Sequence, residues 1–125
     1  MFTRFDFSKI LSGSEDTRRV KAGETLFREG DPGDAMFVVV SGEMAIRFRN
    51  VFLEKVGRGG IFGEMALVDG NHRSATAVAV SDSQLIPVDR TRFLALVQDD
   101  PTFALHVLGV LADRLRAMNA RPMGQ

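Results

Sequence analysis

Two charged side chains in "GGIFGEMALVDGNHRSATA", Gly59 to Ala77, stand at a spacing that could do chemistry. Glu64 follows Phe-Gly, and Arg73, nine residues on, precedes Ser-Ala-Thr. Gly63 removes a side chain where backbone could come close to a bound molecule. "EMALV", Glu64 to Val68, is long enough for one helical turn, whose unpaired N–H groups face whatever lies at its start. A carboxylate there suits the helix dipole but repels a bare phosphate, so Glu64 reads as an acceptor for hydroxyl groups. Arg73 can offer two parallel N–H donors to phosphate oxygens, Ser74 adds a hydroxyl, and Ala75 leaves room. An anion that also carries a sugar hydroxyl, a nucleotide, fits this set. A surface turn closed by an ordinary Glu64–Arg73 ion pair fits the same residues, and the chemistry alone leaves both readings open.

Other chemistries find less support. His72 and His106 are the two histidines; one belongs to a polar turn and the other to a helix face. Their separation argues against a metal site, which groups its ligands. There are no cysteines, so disulfides, thiolate sites and a thiol nucleophile are excluded. No Gly-x-Ser-x-Gly elbow is present. The expectation is a protein with no catalytic residue, no metal and no cofactor. Lys plus Arg and Asp plus Glu both number 16, and this lack of a basic surplus argues against nucleic acid as a partner. The start, "MFTRFDFSKILSGSEDT", lacks the apolar core of a signal peptide, and no apolar run is long enough to cross a bilayer. A cytoplasmic protein without membrane insertion is expected.

The elements that must position Glu64 and Arg73 are mostly strands. A chain of 125 residues with 45% hydrophobic residues reads as one globular domain, 1–125. From about 18 to 89, short β-runs alternate with glycine turns: "RRVK", "ETLFRE", "AMFVVV", "EMAIRFR", "VFLEKVG", "ATAVAV" and "QLIPVD". That rhythm predicts an antiparallel β-barrel or jelly roll, mainly β within an α+β class, with a short helix at Glu64. In "EGDPGD", Gly30 and Gly33 permit positive φ, Pro32 fixes its own, and Asp31 and Asp34 can bond nearby amides. Two helices are predicted over about 90–119. The first is "DRTRFLALVQ", Asp89 to Gln98. The second is capped by Asp99 or Asp100, has Pro101 in its first turn, and carries Arg114, Arg116 and Arg121 towards its carboxyl end. Its apolar residues, Phe103, Leu105, Val107, Leu108, Val110, Leu111, Leu115 and Met118, form a stripe wider than one packed face requires. Either the domain buries more of this helix, or the helix has a second contact with a partner or ligand.

"FGEMALVDGNHRSATA" resembles the phosphate-binding cassette of cyclic nucleotide-binding domains, which occur in catabolite activator proteins, kinase regulatory subunits and cyclic nucleotide-gated channels. "GETLFREGDPGDAMFVVVSGEMAI", Gly23 to Ile46, is similar to the first half of that family's barrel, and the helices after Asp89 to its closing helices. The resemblance covers about Val20 to Asn119. It implies that Gly63 and the amides of Glu64, Met65 and Ala66 meet the cyclic phosphate or ribose, and that Glu64 accepts from the ribose 2′-hydroxyl. It also implies that Arg73 pairs with the phosphate, that Ser74 adds a hydroxyl bond, and that Ala75 leaves room beside them. Members that have lost nucleotide binding often lack the Glu or the Arg; this chain keeps both. Arg114, with Arg116 in reserve, stands where channel-type members cover the purine. A Ser rather than a Thr at position 74 leans towards cAMP over cGMP.

The implied role is a stand-alone cyclic nucleotide sensor whose last helix transmits occupancy to an effector protein or to a second copy in a homodimer. Two departures from the family stand out: only Phe5 to Gly13 precedes the barrel, and no helix-turn-helix follows it, so direct DNA binding is not expected. Two alternatives stand beside it. One is a ligand-independent interaction or dimerisation module with a vestigial pocket, Glu64 and Arg73 bonded to each other. The other is a regulatory fragment of a larger channel or transcription factor.

Overall fold

The computed structural model describes Ile10, residues 16–69 and residues 72–120. The rest of the Phe5–Gly13 segment and Arg121 lie outside the described residues. In chain order the elements are β1 (Arg18–Val20), β2 (Thr25–Phe27), β3 (Ala35–Ser41), β4 (Met44–Phe48), β5 (Val51–Val56), β6 (Ile61–Phe62), α1 (Glu64–Asp69), β7 (Thr76–Ala79), β8 (Ser83–Asp89), α2 (Arg90–Asp99) and α3 (Thr102–Asn119). The strands form two antiparallel four-stranded sheets, ordered β1-β8-β3-β6 and β2-β7-β4-β5. This is the jelly-roll arrangement expected from the turn rhythm.

The near-continuous apolar run of β3 follows from its place between two cores. Phe37 and Val39 point between the sheets, where they meet Met44, Ile46 and Val56 of the second sheet. Met36 and Val38 point the other way, into a core shared with Ile86, Val88, Leu67 of α1 and Phe103 and Val107 of α3. A strand covered on both faces does not alternate, whereas β7 does: Ala77 and Ala79 are buried and Thr76 and Val78 half-buried. Pro87 is tolerated within β8 because β1 pairs only with Ser83–Leu85, so one edge of β8 is without a strand there. The β4–β5 hairpin turns on Arg49 and Asn50, both with positive φ (52° and 67°), the signature of a primed two-residue turn.

Four details differ from expectation. β6 had no counterpart in the sequence reading, because two residues are too few to show a period. Asp89 is the N-cap of α2 rather than its first residue, its carboxylate accepting from the Arg92 amide at 2.8 Å. Pro101, expected in the first turn of α3, occupies its N-cap position, and Asp100 before it, one of the two expected caps, accepts from the Thr102 amide at 3.0 Å and hydroxyl at 2.6 Å. Gly30 has positive φ (92°) but Gly33 does not, and Gly33 serves a different purpose, described below.

α3 lies on the first sheet through one side only. Phe103 and Val107 are buried, and Phe103 packs against Phe93 of α2 at a ring separation of 5.4 Å. Leu105, Leu108 and Leu115 remain 46, 56 and 45% exposed, so the excess apolar width predicted for this helix is left on its outer side. Truncating Phe103→Ala is expected to cost about 3–5 kcal/mol, read as a fall in the urea midpoint with loss of helical signal.

Candidate ligand-binding site

Arg73 is placed by the "EGDPGD" turn. Pro32 and His72 form an isolated antiparallel bridge. On either side of it, the Gly30 amide donates to the Arg73 carbonyl (2.8 Å) and the Arg73 amide donates to that of Asp31 (2.7 Å). The Arg73 side chain then runs past Gly33, where a Cβ would stand 2.2 Å from Nε and 2.5 Å from Cζ. Gly33 is therefore needed for side-chain passage and not for φ. The guanidinium lies 4.1 Å from the ring centre of Phe27 and 5.7 Å from that of Phe37, a cation–π cradle. Its Nη1 donates to the carbonyls of Ala35 (2.7 Å) and Gly63 (3.2 Å). Gly63 has φ +81°, and a Cβ there would stand 2.9 Å from the same nitrogen.

This leaves an incomplete arrangement. Arg73 is 7% exposed, and its Nε has no hydrogen-bond partner among the described residues. Burial lowers its pKa from the ordinary arginine value, and the negative fields of Asp34, Asp31 and Glu64 work the other way. No described carboxylate forms an ion pair with it. A buried cation with an unused donor is costly unless something anionic completes it.

Glu64 has a different partner from the one a surface turn closed by an ion pair requires. The Glu64–Arg73 ion pair is not formed. Glu64, 1% exposed, accepts from Nη1 of Arg114 at 2.6 Å. Nε of Arg114 donates to Glu54 of β5 at 2.7 Å and Nη2 to the Ile61 carbonyl at 2.9 Å. Burial works against the Arg114 charge, but the Glu54 hydrogen bond and the Glu64 charge outweigh it, and its pKa is raised. Arg116 faces solvent and pairs with Asp113 at 3.0 Å.

The positions singled out from the sequence meet around one pocket: Gly63, Glu64, Met65, Ala66, Arg73, Ser74, Ala75 and Arg114 all line it. Phe27, Ile46, Phe62 and Met118 complete the wall. The Ser74 hydroxyl donates to the Met65 sulfur at 3.0 Å. Sequence reasoning missed Gly33, Phe27, Met118 and Glu54. A Gly-Asp after a proline turn was a signal for the first, read only as turn chemistry; Phe27 and Met118 carried apolar signals indistinguishable from core. Among the described residues there is no group of three or more His, Asp or Glu able to hold a metal, and no helix is long and apolar enough to cross a membrane.

The profile of the cyclic nucleotide-binding domain matches residues 17–100, and the chain belongs to that family. The cyclic AMP receptor protein of Thermus thermophilus is 40% identical over 100 residues, which are 75% of this chain and 46% of that protein. The chain thus spans about half the length of that relative. The crystal structure of the Thermus thermophilus catabolite activator protein superposes with a TM-score of 0.73 at 37% identity, covering 83% of this chain and 51% of that one. A structure solved in work on a cyclic-GMP-dependent pathway regulating bacterial phytopathogenesis also gives 0.73, at 31% identity, over 97% of this chain and 98% of that one.

Gly33→Ala must push Arg73 out of its cradle, whereas Gly57, with nothing within 4 Å of an added Cβ, tolerates the same change. The expected result is a loss of about 1–3 kcal/mol for Gly33→Ala and near-neutral behaviour for Gly57→Ala in urea unfolding.

Proposed function

We propose that this domain binds a cyclic nucleotide, cAMP in preference to cGMP, and acts as a regulatory, non-catalytic sensor. The observation that carries the reading is Arg73: buried, without a carboxylate partner, and with Nε unused in a pocket that also holds a buried carboxylate. A cyclic phosphate supplies what that guanidinium lacks, and Glu64 is the acceptor for a ribose hydroxyl. Gly63, Met65, Ala66, Ser74 and Ala75 form the close wall around phosphate and ribose, and Arg114 faces the purine side. The alternative of an interaction module locked by a Glu64–Arg73 bond loses its specific basis, since that bond is not formed.

The leaning towards cAMP rests on Ser74 and on the Thermus thermophilus relative, which is named for cyclic AMP. The relative from a cyclic-GMP-dependent pathway makes the competing purine the necessary control. Calorimetric titration of both nucleotides into stripped protein is the direct test, since the chain has no Trp or Tyr to report binding by fluorescence. Saturable binding, tighter for cAMP, is expected, with Arg73→Ala weakening it on the order of 100-fold through loss of charge-assisted hydrogen bonds. Absence of heat with either nucleotide from folded, ligand-free protein would refute the assignment.

α3 is the proposed output element, through a second copy of the chain or an effector protein. Its outward residues Leu105, Leu108, Ala112 and Leu115 repeat at the alternating three- and four-residue spacing of a coiled-coil seam. Sedimentation should give a dimer for the unmodified chain and a monomer for the Leu108→Glu, Leu115→Glu double variant. A monomer in both would leave the effector protein as the partner of this face.

A further inference from the structure

Met65 and Ser74 meet in the wall of the pocket, where the Ser74 hydroxyl donates to the Met65 sulfur at 3.0 Å. A serine hydroxyl has one hydrogen to give, and a thioether is a weak acceptor for it. The chain has six methionines. Met36 and Met44 are each 0% exposed and sit in the two cores. The other two among the described residues, Met65 on α1 and Met118 on α3, are half-buried, and both line the pocket. A small oxidant that enters the pocket therefore reaches two thioethers there and none in the cores. Of the two, Met65 is the one bonded to a hydroxyl that the ligand reading assigns to the phosphate.

We propose that Met65 is an oxidation site at which peroxide silences the pocket, because its sulfoxide withholds the Ser74 hydroxyl from the ligand. This rests on the cyclic nucleotide reading. In the step itself a lone pair of the Met65 sulfur attacks one oxygen of hydrogen peroxide. The S–O bond forms, the O–O bond breaks, and after proton transfer the second oxygen leaves as water; sulfur is oxidised by two electrons and peroxide is reduced by two. The product is a polar side chain whose oxygen is a much stronger acceptor than the thioether. The one Ser74 hydrogen then stays on Met65. A phosphate entering the pocket meets the partial negative charge of the sulfoxide oxygen and the lone pairs of the serine. Met118 takes no part in that hydrogen bond, so its oxidation leaves Ser74 as it was. Methionine sulfoxide reductases reverse the modification.

The test is hydrogen peroxide treatment of the full chain, with the methionines followed by peptide mass spectrometry and affinity for cAMP and cGMP by calorimetry. Met65 and Met118 should each gain one oxygen while Met36 and Met44 do not. Binding of whichever nucleotide the untreated chain takes should weaken about tenfold, the loss expected for a hydrogen bond to a charged acceptor. Methionine sulfoxide reductase should restore it. Met65→Leu and Met118→Leu are each compared with their own untreated affinity; treatment should leave the first unchanged and weaken the second by the same factor as the unmodified chain. Ser74→Ala, weaker before treatment, should lose little more, an outcome that general damage to the pocket does not give. Four results overturn the proposal: Met65 unoxidised where Met118 is oxidised, Met65 oxidised without loss of affinity, a loss that persists in Met65→Leu, or an equal loss in Ser74→Ala. A chain that binds neither nucleotide before treatment ends the cyclic nucleotide reading and this proposal together. One that binds before treatment and equally well after it ends the proposal alone.

Discussion

The constraint on which the rest of the structure turns is the burial of the Arg73 guanidinium without a carboxylate. A cation in that position must be surrounded by acceptors and polarisable faces, and each neighbour answers to that need. Phe27 and Phe37 present their rings. Ala35, at the start of β3, and Gly63, just ahead of α1, turn their carbonyls inward. Gly33 gives up its side chain so that the arginine can pass. The turn at 30–34 is bridged to 72–73 through backbone hydrogen bonds, so its geometry and that of Arg73 are one feature. None of these neighbours neutralises the charge. An arrangement that holds a cation rigidly and leaves a donor unused suits a transient anion better than it suits stability.

Arg114 shows the opposite solution in the same pocket. Its charge is matched by two carboxylates and a carbonyl, so all three of its nitrogens have acceptors. Breaking such a pair by removing one partner typically costs about 3–5 kcal/mol, because the remaining buried charge is left alone. Arg114 therefore contributes to tertiary structure as well as to the pocket, and its loss cannot be read as a binding effect alone.

Much of this was legible in the sequence, for identifiable reasons. Glycine turns at short spacing betrayed the strands, and the pairing of Glu64 with Arg73 across small residues marked the pocket. All eight positions singled out there do line one cavity. What was not legible depended on tertiary partners. The Glu64–Arg73 pair was the natural guess from nine residues of separation, but the partner of Glu64 lies 50 residues away on α3. Glu54 sits in "VFLEKV", where a carboxylate on a half-buried strand looks like an ordinary solvent-side residue. Gly33 looked like a backbone requirement because a glycine after Asp-Pro usually is one. The short β6 left no periodic signal at all.

The two sides of α3 connect these observations. Arg114 and Leu115 are neighbours in sequence, yet helical geometry sends one into the pocket and leaves the other 45% exposed on the outer face. Phe103 and Val107 anchor the first half of the helix in a core, while the second half is held by Arg114 and by Met118 packed at the edge of the barrel. Arg114 and Leu115 share one helix, so any movement of that half of α3 displaces both. In the proposed sensor, occupancy of the pocket and the position of the outer leucines are coupled through α3 itself, with no relay of side chains through the barrel.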